Sequence, residues 1–265
     1  MLKDITIGQY LPGDSIVHKI DPRVKISVSF IFIVTLFIIN NFIGYIPSFL
    51  FIVFSVLISK ISFKYILKGL KPILVILLIT AVINVFLTTG TIIYKLGPFE
   101  VTNEGLRLAG FMILRLIFLI VGTSLLTLTT SPISLTDGIE HLLNPLKKIG
   151  VPAHELAMMM TIALRFIPTL LDETDKIMKA QMARGADFES GNVISRAKNL
   201  VPLLVPLFIS SFRRADELAM AMEARCYRGG TNRTRMKQLK IESRDILTII
   251  ITMLLLGVSI FSRFI

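Results

Sequence analysis

Long apolar runs separated by short charged loops constrain this chain more than any other feature. Five runs stand out, at about Ile26–Asn40, Ile43–Ser59, Pro72–Thr89, Leu108–Thr129 and Ile246–Arg263. Each approaches the roughly 20 apolar residues that cross about 30 Å of hydrocarbon. The first is the shortest and can borrow from Val24 and Asn41. Lipid offers the backbone no partners, so such runs must be helices. Composition agrees, with 53% of residues hydrophobic and only 18% charged. Soluble domains are roughly 45–50% apolar and about a quarter charged. The expectation is an all-α polytopic membrane protein with about five transmembrane helices plus a cytoplasmic domain of long amphipathic helices.

Loop charge predicts the orientation. The segment up to Lys25 holds four basic residues, and the loop after the second run holds Lys60, Lys64, Lys68 and Lys71. Asn40–Gly44 holds no charge, and the loop after the third run balances Lys95 and Arg107 against Glu100 and Glu104. The long segment Ser131–Asp245 holds 17 basic and 13 acidic residues. Cytoplasmic loops carry the excess of Lys and Arg. The N-terminus, the second loop and the long segment are therefore expected in the cytoplasm of a plasma membrane of bacterial type. The C-terminus is expected outside, with Arg263 snorkelling at the boundary. Residues 1–130, 131–244 and 245–265 then form an N-terminal membrane part, a cytoplasmic domain and a last span.

Other classes find little support. The net charge of +11 could suggest nucleic acid, but the basic residues flank apolar segments, so no nucleic-acid partner is expected. The single Cys226 gives neither an internal disulfide nor a zinc pattern. The polar N-terminal stretch, with Lys3 and Asp4, lacks the plan of a secretory signal. No phosphate-binding G-x-x-x-x-G-K-[ST] loop or Gly-rich dinucleotide motif occurs. His154-Glu155 meets Met158 where a zinc-protease motif needs histidine, and His18, His141 and His154 show no ligand spacing. No metal site, cofactor or catalytic residue is expected. Arg115 and Asn84 lie inside apolar runs, where charge or polarity marks either function or local pairing, Glu104 being one candidate partner for Arg115.

Between the fourth and fifth runs the pattern changes to helical periodicity. Ser131-Pro132 opens a helix, and Asn144-Pro145 and Gly150-Val151-Pro152 punctuate it. A long helix follows over about Ala153–Arg184, ended by a left-handed Gly185. Its stripe Leu156, Met160, Ala163, Ile167 and Leu170 recurs at steps of three and four. Asp172–Lys176 and Asp175–Lys179 are spaced to pair. Another helix is expected from about Val193 to Tyr227, stopped by Gly229-Gly230 and kinked near Pro202 or Pro206. Within these helices, Leu156–Leu171 and Val193–Phe212 are apolar but interrupted by Arg165 and Pro168, and by Arg196, Lys198, Pro202 and Pro206. A central Arg or Lys costs about 2.5–3.5 kcal/mol on insertion. Both stretches therefore read as amphipathic helices at or under the membrane surface; the alternative is that one or both insert.

The two helix ends are alike. Asp175 to Gly185 aligns without gaps on Asp216 to Cys226, 41 residues later, matching Ala180 with Ala221, Ala183 with Ala224 and Arg184 with Arg225. A repeated ending suggests two docking elements and two similar partners. An arginine near a helix C-terminus complements the dipole. Its planar fork can also hold carboxylates or carbonyls of another protein.

Leu164-Arg165-Phe166-Ile167-Pro168, Glu173, Ala180-Gln181-Met182-Ala183-Arg184-Gly185 and Ala224-Arg225-Cys226-Tyr227 resemble the transmembrane (T) component of energy-coupling factor transporters. Asp21-Pro22-Arg23-Val24-Lys25, Thr129-Thr130-Ser131-Pro132 and Asn144-Pro145-Leu146 fit the same family. The resemblance runs from about residue 10 to 262. It implies a non-enzymatic scaffold joining two ATP-binding cassette ATPase subunits to a small substrate-capture (S) membrane subunit for a vitamin or metal ion. By resemblance, Ala183, Arg184, Gly185, Ala224, Arg225 and Cys226 dock the ATPases, with Cys226 standing where the motif has glycine. Met159, Ala163, Ile167, Met178 and Met220 are candidates for contact with the capture subunit, since methionine-rich surfaces tolerate varied partners. They could equally be core between the helices. The rival function is a stand-alone secondary carrier or channel, which would show repeats across the spans; the repeat found here lies outside them.

Overall fold

The computed structural model describes residues 10–96, 99–188, 192–230 and 238–263; Lys3 and Asp4 lie outside them. In chain order the elements are α1 (Ile16–Lys19), α2 (Pro22–Ile38), α3 (Tyr45–Ser59), α4 (Phe63–Leu70), α5 (Leu74–Leu87), β1 (Ile92–Leu96), β2 (Phe99–Thr102), α6 (Asn103–Thr129), α7 (Pro132–Leu143), α8 (Ala153–Ala183), α9 (Val193–Ala224) and α10 (Ser243–Ser262). The protein is an all-α polytopic membrane protein, with one addition that the sequence reading lacked. β1 and β2 form an antiparallel hairpin between α5 and α6, pairing Tyr94 with Val101 and Leu96 with Phe99. Its β-branched and aromatic residues suit a pleated surface. Thr102 then caps α6 by accepting the Gly105 N–H at 3.1 Å.

Five helical stretches have the length and composition to cross a membrane: Phe42–Ser59, Phe63–Leu87, Asn103–Thr129, Ala153–Ala183 and Ser243–Ser262. Four of them overlap apolar runs read from the sequence, and Ala153–Ala183 stands where the sequence reading had Ile26–Asn40. α2, with 17 residues, is shorter than each of these stretches yet sits at the lower limit for a span. α8 qualifies by length, although Arg165 and Pro168 interrupt it.

The described residues divide into two compact units, 10–139 with 238–263, and 140–230. The first is a helical bundle. Its core joins Phe32 and Leu36 of α2 with Ile39 just past its end, Tyr45, Ile52 and Val56 of α3, Ile66 of α4, Phe111, Phe118 and Leu125 of α6, and Leu255 of α10. α6 packs on α2, α3, α4 and α5, and α10 packs on α2 and α3. The Phe32 ring lies where a Cβ on Gly122 would sit, 2.8 Å from that position, so glycine lets α2 approach α6. The buried hydroxyls of Thr35 and Thr252 serve their own helices, donating to Ile31 O and Thr248 O, both at 2.8 Å. The outward faces carry Phe30, Leu50, Phe54, Leu74 and Leu254, surface that only lipid covers cheaply.

Asp21-Pro22-Arg23-Val24-Lys25 ties this bundle together at one end. Pro22 opens α2 at its first position, where its missing N–H costs nothing. The Asp21 carboxylate accepts from the Arg23 backbone N–H and guanidinium at 2.8–3.0 Å. The Asp21 N–H donates to Asp245 Oδ1 at 2.8 Å, and Asp245 Oδ2 accepts the Glu242 N–H at 2.7 Å. Lys25 Nζ donates to His18 O, Thr129 O and Thr130 Oγ1 at 3.1, 2.9 and 3.3 Å. The starts of α2 and α10 and the end of α6 are thereby joined.

The other end of α2 answers the question raised by Arg115. Arg115 Nη2 donates to Ile39 O at 3.3 Å, and its guanidinium lies over the Phe37 ring at 5.3 Å. It therefore caps the C-terminus of α2, where a cation complements the helix dipole. Glu104 is engaged elsewhere, by Thr91. Asn84 donates to Thr80 O of its own helix at 2.8 Å.

Candidate functional site

α8 and α9 form an antiparallel pair within the second unit. Gln181 of α8 donates to Pro202 O of α9 at 3.3 Å. Further back along α8, Glu173 accepts from Arg214 Nη2 at 3.0 Å and from the Ser210 hydroxyl. Rising numbers on one helix meet falling numbers on the other. Among the described residues, the ion pair of this helix pair runs between the helices, and none joins Asp172 to Lys176 or Asp175 to Lys179. Asn199 Nδ2 also donates to Asp187 O at 2.6 Å, fastening the turn that joins the two helices.

Both helices end in the same cap. Arg184 is the C-cap residue just past α8, and Gly185 follows with φ +88°. The Ala186 N–H returns to Gln181 O and the Gly185 N–H to Met182 O, each at 3.0 Å. In α9 the Tyr227 N–H returns to Met222 O at 3.0 Å and the Cys226 N–H to Glu223 O at 2.8 Å. These are two Schellman motifs, superposed by the 41-residue offset. The second corrects the sequence reading: α9 stops at Ala224, before Gly229-Gly230, because Cys226 itself turns left-handed at φ +55°. A side chain in that conformation costs roughly 1–2 kcal/mol.

The caps put Ala183, Arg184 and Gly185, and Ala224, Arg225 and Cys226, all in exposed positions. Because the helices are antiparallel, the two arginines lie at opposite ends of the pair. Gln181 is level with Pro202, and 23 residue steps separate Pro202 from Arg225. At 1.5 Å per residue the tips stand about 35 Å apart or more.

The candidates for capture-subunit contact fall less evenly. Met159 and Met220 are 55% and 61% exposed, and Ala163 is exposed too. Ile167 and Met178 are half-buried. Met159, Ala163 and Ile167 share one stripe of α8 at steps of four. By the pairing of the helices Met220 lies level with them, while Met178 lies nearer the Arg184 end. Sequence reasoning missed a larger surface. Val201, Val205, Phe208 and Phe212 of α9, at steps of four, three and four, are 50–70% exposed. Their period was legible within Val193–Phe212, but their outward direction was not. It missed also the polar group around His154, which bonds Glu140 and Tyr227.

The chain is similar to known proteins over nearly its whole length. A family model described as cobalt transport protein, CbiQ, matches residues 13–236. The energy-coupling factor transporter transmembrane protein EcfT of Clostridium kluyveri is 68% identical over 265 residues, covering 99% of this chain and 98% of its own. The protein of the same name from Thermosediminibacter oceani is 63% identical over 264 residues, with both chains fully covered. That of Bacillus subtilis is 50% identical over 262 residues and 98% of each chain. A membrane bundle, a pair of long helices with matched arginine caps, and these likenesses lead to one conclusion: the chain belongs to the family of energy-coupling factor transporter transmembrane proteins.

Proposed function

We propose that this chain joins two cytoplasmic ATP-binding cassette ATPases to a small substrate-capture membrane subunit, for uptake of a vitamin or a metal ion. The observation that carries the reading is the pair of matching caps, which present Ala183-Arg184 and Ala224-Arg225 at opposite ends of the α8–α9 pair. A helix end of this kind fits a groove: alanine lets the partner backbone approach, and the guanidinium supplies a planar set of donors. Residues 131–244 act as the cytoplasmic coupling domain, with the N-terminus on the same side. α8 and α9 then lie at or beneath the membrane surface. When the ATPases close on ATP, the tips are displaced, and stiff helices carry that displacement to the membrane face.

The chain itself handles no nucleotide and needs no cofactor on this reading. The capture subunit seats on exposed apolar side chains of the two helices, among them Met159, Ala163, Met220, Phe208 and Phe212. Fully covering each large side chain contributes about 1.5–3 kcal/mol. The test is the double variant Arg184→Ala, Arg225→Ala in the complete transporter. It should insert normally and lose ATP-dependent uptake; undiminished uptake by a well-expressed double variant overturns the proposal.

A further inference from the structure

Tyr227 stands two residues beyond Arg225, and its backbone N–H closes the second helix cap on Met222 O. Its hydroxyl lies 3.2 Å from His154 Nε2, and His154 Nδ1 lies 3.0 Å from Glu140 Oε1. A carboxylate only accepts, so Nδ1 carries hydrogen and donates to Glu140. In the neutral imidazole that leaves Nε2 as the acceptor, and the Tyr227 hydroxyl donates to it. One polar chain thus runs from the last turn of α7, through the first turn of α8, to the residue just past α9.

The backbone follows the same course. A Cβ on Gly230 would overlap the imidazole of His154, so the segment after Tyr227 lies directly against that ring. Ala153 and Ala157, on either side of His154 in α8, are buried. The Arg225 end of α9 is therefore fastened to the start of α8. The first tip cannot copy this arrangement. The 41-residue offset that superposes the caps pairs Tyr227 with Ala186, whose side chain offers no hydrogen bond.

We infer that Glu140, His154 and Tyr227 are positioning residues that lock the Arg225 tip to the start of α8, making the two tips mechanically unequal. The inference rests on the docking role proposed above. Load taken up at Arg225 passes by side chains to the junction of α7 and α8. Load taken up at Arg184 passes along α8 itself and across to the start of α9 through Gln181 and Asn199.

The test uses the complete transporter in proteoliposomes, with uptake per ATP hydrolysed as the readout and co-purification of the ATPases as the control for assembly. Tyr227→Phe and His154→Ala should each lower uptake per ATP about three- to tenfold, the scale of one lost hydrogen bond of this kind. The ATPases should still co-purify. The double variant should be no worse than the worse single variant, because a tie is broken only once. Glu140→Gln keeps an oxygen acceptor for Nδ1–H and should stay within about twofold of the parent, whereas Glu140→Ala should fall with the others. Tyr227→Phe at parental uptake per ATP, or losses that simply add in the double variant, overturns the inference if Arg225→Ala is impaired in the same assay. If Arg225→Ala is itself silent, the docking role fails and this inference falls with it.

Discussion

The side-chain amide of Gln181 supplies the carbonyl of Pro202 with a donor that α9 cannot provide. In a regular helix the Pro202 carbonyl would accept from residue 206, but Pro206 has no N–H. Gln181 Nε2 donates to that oxygen from the neighbouring helix, at 3.3 Å. The proline that weakens α9 therefore also creates a point of attachment for α8, close to the Arg184 cap.

Replacing Gln181 by alanine should cost about 0.5–1 kcal/mol, the usual net worth of an accessible hydrogen bond. Amide hydrogen exchange in α9 around residue 206 checks it: the variant should exchange faster there than near residue 220.

Cys226→Gly should stabilise the chain by about 1 kcal/mol, because glycine enters the left-handed region without the side-chain penalty. Gly185→Ala should destabilise by a similar amount. Nothing lies within 4 Å of a Cβ built on Gly185, so the cost there is backbone strain alone. Thermal melting of the purified complex reads both changes, which should have opposite signs.

Asp245→Ala should be among the most damaging substitutions in the membrane bundle. The side chain is 1% exposed and accepts the N–H groups of both Asp21 and Glu242. Removing it leaves the buried Asp21 N–H without this acceptor, at about 1–3 kcal/mol, while the Glu242 N–H can turn to water. Expression level and melting temperature should both fall. Asp14→Ala, at an exposed position, should leave them within about 0.5 kcal/mol of the parent.

Gly122→Leu should force α2 away from α6, since the Phe32 ring occupies the space a side chain needs. Overpacking of this kind costs about 1–3 kcal/mol. The neighbouring change Phe32→Ala in the same chain should recover part of the loss, and melting of the single and double variants measures the recovery.

Much of this fold is written in the apolar period and loop charge, because lipid leaves the backbone so few options. α6 and α10 fall close to the runs Leu108–Thr129 and Ile246–Arg263. What escaped was set by contacts distant in sequence. Nothing around Asp21 announces that its N–H meets Asp245, 224 positions away. Arg115 read equally well as a functional charge or as one paired locally until Ile39 O was found beside it. At the tips, spacing alone revealed the 41-residue repeat. That Cys226 would take the glycine conformation, ending α9 early, depended on backbone geometry that composition does not encode. The outward stripe through Phe208 and Phe212 was visible as periodicity, yet only the packing of α8 against α9 decides which side of a helix remains uncovered.

The antiparallel arrangement makes α9 a ruler. Inserting two residues between Phe212 and Asp216 would swing Arg225 about 200° around the axis; inserting four would carry it some 6 Å onward at nearly its old azimuth. On the docking role proposed above, the gap between the two docked ATPases is an inherited length, counted out in helical turns. A chain with one turn more or less would need partners spaced to suit.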